Sequence, residues 1–202
     1  MIFYQQKQSG FSLVETLVAI SILLIVIVGP MTISMQSAKS ASFASEQVQA
    51  FFLAQEGLEL AQKVRDDLLL NGALFGGGES QPWGKFYIST APIGTYPSCH
   101  LVTGCGLSWN TLNSEILATV VNCVDPAACK LHLKNSNQNV RSRFSHDGAN
   151  TDPTPFTRRI YFNNSTTGTV HVRSVVTWRT GSLVAEQKVE VDTYLYNIYG
   201  TQ

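Results

Sequence analysis

The sequence predicts an α+β protein in which one long, bent N-terminal helix packs against a C-terminal antiparallel sheet. Three observations carry this expectation. Residues 11–31 contain a single ionisable side chain, Glu15, in an otherwise apolar run. Apolar residues then recur at three- and four-residue intervals as far as Leu68, and beyond residue 155 the pattern changes to alternation, the period of a strand.

The helix is expected from Ser12 to Leu70. Its first part, Leu17 to Val28, reads LVAISILLIVIV, broken only by Ser21. At ~1.5 Å per residue, the span 11–31 matches the roughly 30 Å thickness of bilayer hydrocarbon. It can cross a membrane once. Ahead of it, MIFYQQKQSG supplies Lys7 and the starting amine with no acid before Glu15, which favours a cytoplasmic N terminus and export of the remainder. Glu15 is the residue an ordinary anchor does not explain, because a carboxylate beside hydrocarbon is costly without a partner.

Gly29 and Pro30 predict a bend or a locally opened turn, since proline lacks the N–H that the helix needs. The periodicity resumes with Val48, Phe51, Phe52, Leu58, Ala61, Val64 and Leu68 as an apolar face for the sheet, Phe51 and Phe52 being assigned to the core. Glu59 and Lys63 are expected to pair on the exposed side. The small residues Ala38, Ser40, Ala41 and Ser42 tolerate close helix packing without defining a binding site.

The run NGALFGGGESQPWG ends the helix, and Gly76 to Gly78 lack the GK[ST] ending of a phosphate loop. Connectivity from there to Asn150 is not legible. Three strands are then expected at 156–162, 170–179 and 183–198, with Thr180-Gly181 as a tight reversal in an antiparallel meander. In the last strand Leu183, Ala185, Val189, Val191 and Leu195 share a packing face, and Glu186, Lys188, Glu190 and Asp192 share a wet one. Boundaries follow: 1–10 a leader, 11–31 the membrane and assembly segment, 32–70 a domain spine, and 71–202 an exported head.

Fourteen basic and fourteen acidic residues balance, and no basic run marks a nucleic-acid binder. Arg158, Arg159, Arg173 and Arg179 read as solvated strand residues. Cys99, Cys105, Cys123 and Cys129 form two equally spaced pairs. Bridges 99/105 and 123/129 are the favoured pairing among three complete connectivities, and zinc is disfavoured because neither pair has knuckle spacing. His100, His132, His146, His171, Asp147 and Asp152 are the candidate catalytic groups, yet no GxSxG or HExxH pattern accompanies them. Asp147, Asn150 and Asp152 could offer oxygen to calcium, but their spacing is not that of an EF-hand and the segment reads as a structural loop. No metal or cofactor is expected otherwise.

The string GFSLVETLVAI, residues 10–20, behind a positive leader and ahead of an apolar helix, resembles the type IV prepilin family, including type II secretion pseudopilins. The resemblance implies a prepilin peptidase that cuts between Gly10 and Phe11 and N-methylates Phe11, glycine leaving the backbone open to the protease. It makes Glu15 the assembly glutamate, meeting the methylated ammonium of Phe11 in a neighbour. The C-terminal strands are similar to those of minor-pilin-like heads, and the implied fold is that of pilins. Implied partners are like or related subunits, the inner-membrane assembly machinery and the lipid bilayer. The implied location is a single-pass membrane protein with an exported head, then a surface pilus or an extracytoplasmic pseudopilus. The competing expectations are a membrane-tethered, non-polymerising adhesion or binding module and an exported enzyme with a dispersed active site.

Overall fold

The computed structural model describes residues 10, 12–74, 82–89, 95–109, 118–134, 143–148, 151–163, 166–180 and 185–198. Its first element, α1, spans Leu13–Leu74. The chain divides into two compact units, Met1–Ala44 and Ser45–Gln202.

In the first unit α1 is exposed at every residue from Leu13 to Ala44 except the half-buried Phe43. The helix runs without interruption through Gly29 and Pro30, where an opened turn was one expectation. Its hydroxyls are satisfied by its own backbone: Thr16, Ser21 and Thr32 donate to the carbonyls of Leu13, Leu17 and Gly29, each at 2.8 Å. Such back-bonding lets three polar side chains sit on an apolar helix at little cost.

The second unit is the remainder of α1 packed against an antiparallel sheet. The short helix α2 is Pro82–Tyr87, and the strands are β1 (Cys105–Ser108), β2 (Thr119–Asn122), β3 (Lys130–Lys134), β4 (Arg143–Ser145), β5 (Asp152–Asn163), β6 (Thr169–Trp178) and β7 (Gln187–Tyr196). β5 is the central strand. It pairs with β6 from Thr157↔Thr177 to Asn163↔His171, and it also pairs with β1 at Ile160 and with β3 between Thr157 and Asp152. β6 pairs in turn with β7 over ten residues without a register shift, and this is the predicted meander. The third strand starts four residues later than expected, at Gln187, and Gly181 of the expected reversal lies outside the described residues. Ala185 precedes the strand and is exposed, whereas Val189 and Val191 are half-buried and Leu195 is buried.

From Ala61 to Leu68 the face that α1 turns to the sheet is the expected one, but at Val48, Phe51 and Phe52 it is not. Ala50, Leu53, Ala54, Leu60, Ala61, Val64 and Leu68 are buried, while Val48, Phe51 and Phe52 are exposed by 55%, 43% and 63%. Close approach explains the difference. A Cβ at Gly57 would collide with the Ser174 hydroxyl of β6 and lie 3.2 Å from Arg158 Cδ, so only small residues fit beneath the helix at this level. Phenylalanine rings on that face would hold the helix off.

Arg158 is the second correction. It is fully buried rather than solvated. Its Nη1 donates to Glu56 Oε2 at 2.8 Å and to the Leu53 carbonyl at 3.1 Å, and its Nη2 donates to the Leu107 carbonyl at 3.1 Å. One guanidinium thus joins α1, β5 and β1. Burial pushes its pKa down, and the Glu56 carboxylate pulls the other way. Lys63 pairs with Asp67 at 2.6 Å instead of with Glu59, and it lies 4.1 Å over the Trp109 ring.

Beyond this level the core is capped by segments the sequence left unresolved. Phe86 of α2 meets Phe162 with ring centroids 4.7 Å apart, and Trp83, Tyr96 and Cys99 are buried in the same cluster. Disulfides join Cys99 to Cys105 and Cys123 to Cys129. Each closes a short 3-10 turn, Pro97–His100 or Pro126–Cys129, onto the sheet, and the Cys123 amide donates to the Gly104 carbonyl at 3.4 Å, so the two closed loops adjoin. His146, after β4, is buried against Gly106. Burial first, then Arg158 and more weakly His132, lower its pKa to about 3, against the pull of the Lys130 and Cys129 carbonyls.

Four outcomes test this packing, all read on the full chain in detergent. Glu56→Ala removes a carboxylate that is 38% exposed, yet it strands a buried guanidinium. It should cost about 2–3 kcal/mol in urea unfolding, below the range for a fully buried pair because one partner is solvated. Glu59→Ala, exposed one turn on, should change stability by less than about 0.5 kcal/mol. Thiol alkylation should add no label to the native or unfolded chain before reduction and four after it, one for each cysteine. His146 is neutral in the fold, so the unfolded chain binds more protons between about pH 3 and its ordinary value of 6.5. Its contribution is complete above that ordinary value and is lost as pH falls, by up to ~1.4 kcal/mol per pH unit. Replacing His146 with Gln should flatten that slope between pH 6 and pH 4 in chemical unfolding, apart from the carboxylates' own share.

Candidate functional site: the head of the N-terminal helix

Gly10 is exposed, and a Cβ built on it would meet no described residue within 4 Å. Phe11 lies outside the described residues. The Thr16 amide donates to the Ser12 carbonyl at 3.2 Å, which starts the helical ladder just past the junction. Glu15 sits in the first turn of α1, where a carboxylate complements the positive end of the helix dipole. Its side chain is exposed, and no described residue forms an ion pair with it. Gly10 and Glu15 therefore lie on one short accessible stretch.

Behind Glu15 the helix is apolar all round. Leu17, Ile22 and Leu23 are exposed by 60%, 57% and 57%, and they point in three different directions around the axis. A helix of this kind is not the amphipathic helix of a soluble surface; it needs lipid or other helices on every side. The segment is long and apolar enough to cross a membrane. The next ionisable residue after Glu15 is Lys39.

The other candidate residues fall in the second unit and do not join this site. All four cysteines are in disulfides, so they offer no thiolate to a metal. Asp147 follows β4 and is exposed, Asp152 opens β5, and Asn150 lies outside the described residues. Among the described residues no three His, Cys, Asp or Glu side chains converge as a metal-ligand group. The histidines are scattered. His100 lies on the first 3-10 turn near the Phe86 carbonyl, with its pKa lowered by burial. His132 is on β3, His146 is buried in packing, and His171 pairs with Asp192 at 2.8 Å while stacking on Tyr194. The group that sequence reasoning missed is Arg158 with Glu56. Its signal was phase, since Arg158 falls between Phe156 and Ile160 on the inward side of β5.

A family model described as the prokaryotic N-terminal methylation motif matches residues 5–29. No curated protein and no solved structure matches the chain significantly. The matched segment contains Gly10, Glu15 and the first sixteen residues of the apolar helix up to Val28, with Gly29 closing it. The chain thus carries, at the head of a long apolar helix, the N-terminal methylation motif typical of type IV pilins and pseudopilins.

Proposed function

We propose that this chain is a structural subunit of a type IV pilus-like filament or secretion pseudopilus. The observation that carries the reading is the methylation motif over residues 5–29 heading a helix that is apolar on every side. Residues 1–10 are the leader, 11–31 the membrane and assembly segment, 32–70 the spine of the head, and 71–202 the rest of the exported head. A prepilin peptidase cuts after Gly10 and methylates the new amine of Phe11. The processed subunit waits in the bilayer with its head exported, and assembly exchanges lipid contact for contact between helices.

Glu15 has a physical part in that exchange. A carboxylate near hydrocarbon gains when it meets a cation, and the Phe11 ammonium of a neighbouring subunit supplies one. Desolvation and attraction nearly cancel in such pairs, so the contact selects register more than it adds affinity. A subunit seated in the wrong register leaves both charges unpaired. The work of the chain in this reading is assembly, with no catalytic step.

The test compares mature protein in membranes with mature protein in sheared filaments. Mass spectrometry should find an N terminus at methylated Phe11. Glu15→Ala should leave membrane insertion and cleavage intact, because removing the charge eases residence in lipid. It should lower filament incorporation at least about tenfold, equivalent to ~1.4 kcal/mol. Equal incorporation at matched membrane abundance would overturn the role of Glu15, and a mature terminus elsewhere would overturn the processing.

A further inference from the structure

Among the described residues the sheet has three edge strands, β2, β4 and β7, and they are not built alike. β2 has four residues and β4 three, whereas β7 has ten, with no proline and no register shift against β6. Short edges, prolines and bulges are usual means by which a sheet refuses a further strand, and β7 uses none of them. Among the described residues β6 is the one strand beside it, and no backbone–backbone hydrogen bond outside that ladder involves residues 187–196. The core also thins there: Val172, Ser174 and Val176 of β6 are buried, but Thr193, Val191 and Val189 opposite them are half-buried. A row of open N–H and C=O groups is complementary to one kind of partner, an extended polypeptide.

The side chains of β7 select that polypeptide. Residues directly opposite each other in a sheet share a face, so two antiparallel copies of β7 align their core-side rows only when the pairing is centred on a residue. Centred on Asp192, it sets that carboxylate against its own copy; centred on Val191, it sets Glu190 against Asp192 twice; centred on Glu190, it sets two glutamates together. Like charges directly opposite are destabilising. Centred on Thr193, residues 190–196 of each strand pair and no like charges meet: Glu190 faces Tyr196, Asp192 faces Tyr194, and on the core side Val191 faces Leu195. Centring on Val189 or Tyr194 keeps only residues 187–191 or 192–196 of β7 in the ladder. The strand carries its acids ahead of Thr193 and its exposed tyrosines behind it, and an antiparallel copy brings each set to the other. One such pair is already held in place, because His171 bonds Asp192 at 2.8 Å and stacks on Tyr194 with ring centroids 4.6 Å apart.

We infer that β7 of one copy pairs antiparallel with β7 of a second copy about Thr193, joining two second units through one continuous sheet. The occupant is a second copy because the order of charges and rings along the strand is complementary to its own reverse. The contact is isologous, so it closes as a pair. It goes beyond the assembly reading and does not depend on it, since every residue involved lies in the second unit. Glu190 and Asp192 then have a use besides their ion pairs with Arg173, Lys188 and His171: they exclude the registers centred one, two and three residues before Thr193.

Cysteine cross-linking of the full chain in detergent tests the register. Thr193→Cys, Asp192→Cys, Tyr194→Cys and the Asp192→Cys/Tyr194→Cys double variant are oxidised and separated without reduction, with intact mass checking that the two native disulfides are kept. Adjacent opposite pairs in an antiparallel ladder alternate between close and wide spacing, so either Thr193→Cys or the double variant should give disulfide-linked dimers. Asp192→Cys and Tyr194→Cys alone should stay monomeric. Added to the variant that cross-links, Tyr196→Asp sets a carboxylate against Glu190 twice and should lower the dimer yield about fivefold, whereas Tyr196→Phe should retain it. Dimers from Asp192→Cys alone, dimers from neither Thr193→Cys nor the double variant, or a yield that Tyr196→Asp leaves unchanged would each overturn the pairing. Glu15→Ala should leave the yield as it is. Loss of dimers with Glu15→Ala would assign the contact to the apolar helix and overturn it, while the assembly reading is judged separately, on incorporation into filaments.

Discussion

The second unit is organised around one buried cation. Arg158 reaches from the inward face of β5 to a carboxylate and a carbonyl on α1 and to a carbonyl on β1, so three elements meet at one guanidinium. Such a group is expensive to desolvate, and it is tolerated only where acceptors are aimed at it. Glu56 and the Leu53 carbonyl can be aimed only if the helix lies close to the sheet and turned to a particular angle. Gly57, Ala54 and Ala61 permit that closeness. The same angle sends Phe51 and Phe52 outward. What the helix exposes is thus a consequence of what the guanidinium requires.

This dependence explains which parts of the fold were legible. The C-terminal meander could be read because β6 and β7 keep a period of two for ten residues each, with apolar side chains marking one face. The helix could be read because its apolar residues recur over many turns. Its facing near Phe51 and Phe52 could not, since hydrophobicity alone favours burying the aromatic rings and the structure buries Ala50, Leu53 and Ala54 there instead. Arg158 misled for a related reason: an arginine in a strand usually faces water. Phase was the better guide, because Phe156, Ile160 and Phe162 on either side of it all point inward.

The segment between α1 and β5 was illegible for a different reason. Its strands are three to five residues long, too short for periodicity to separate strand from loop. Their placement depends on covalent closure and on capping by Phe86, Trp83 and Tyr96, which are interactions at a distance in sequence. The two disulfides lie at the junctions of these short elements, where few backbone pairs hold the chain. Cys105 pairs with both Asn122 and Ile160 across the sheet, so one bridge fixes the strand that links β2 to the central β5. The N-terminal site is the reverse case. The motif over residues 5–29 could be read there, because a motif of consecutive residues needs no tertiary contact to be recognised.

Two glutamates of α1, Glu56 and Glu15, are handled in opposite ways. Glu56 has its cation within the chain, at 2.8 Å, and with it the second unit satisfies its most costly buried charge internally. Glu15 lies on an apolar helix with no described residue paired to it, and no basic residue follows on that helix before Lys39. A carboxylate on such a surface is tolerated in isolation only at the edge of water, and a chain that needed merely an anchor would gain by replacing it. The head is therefore built to be complete alone, and the helix is not. In the proposed assembly this asymmetry has a direct mechanical meaning: the head can fold before its subunit joins a filament, and the unmet charge near the start of the helix supplies a reason to join in one register.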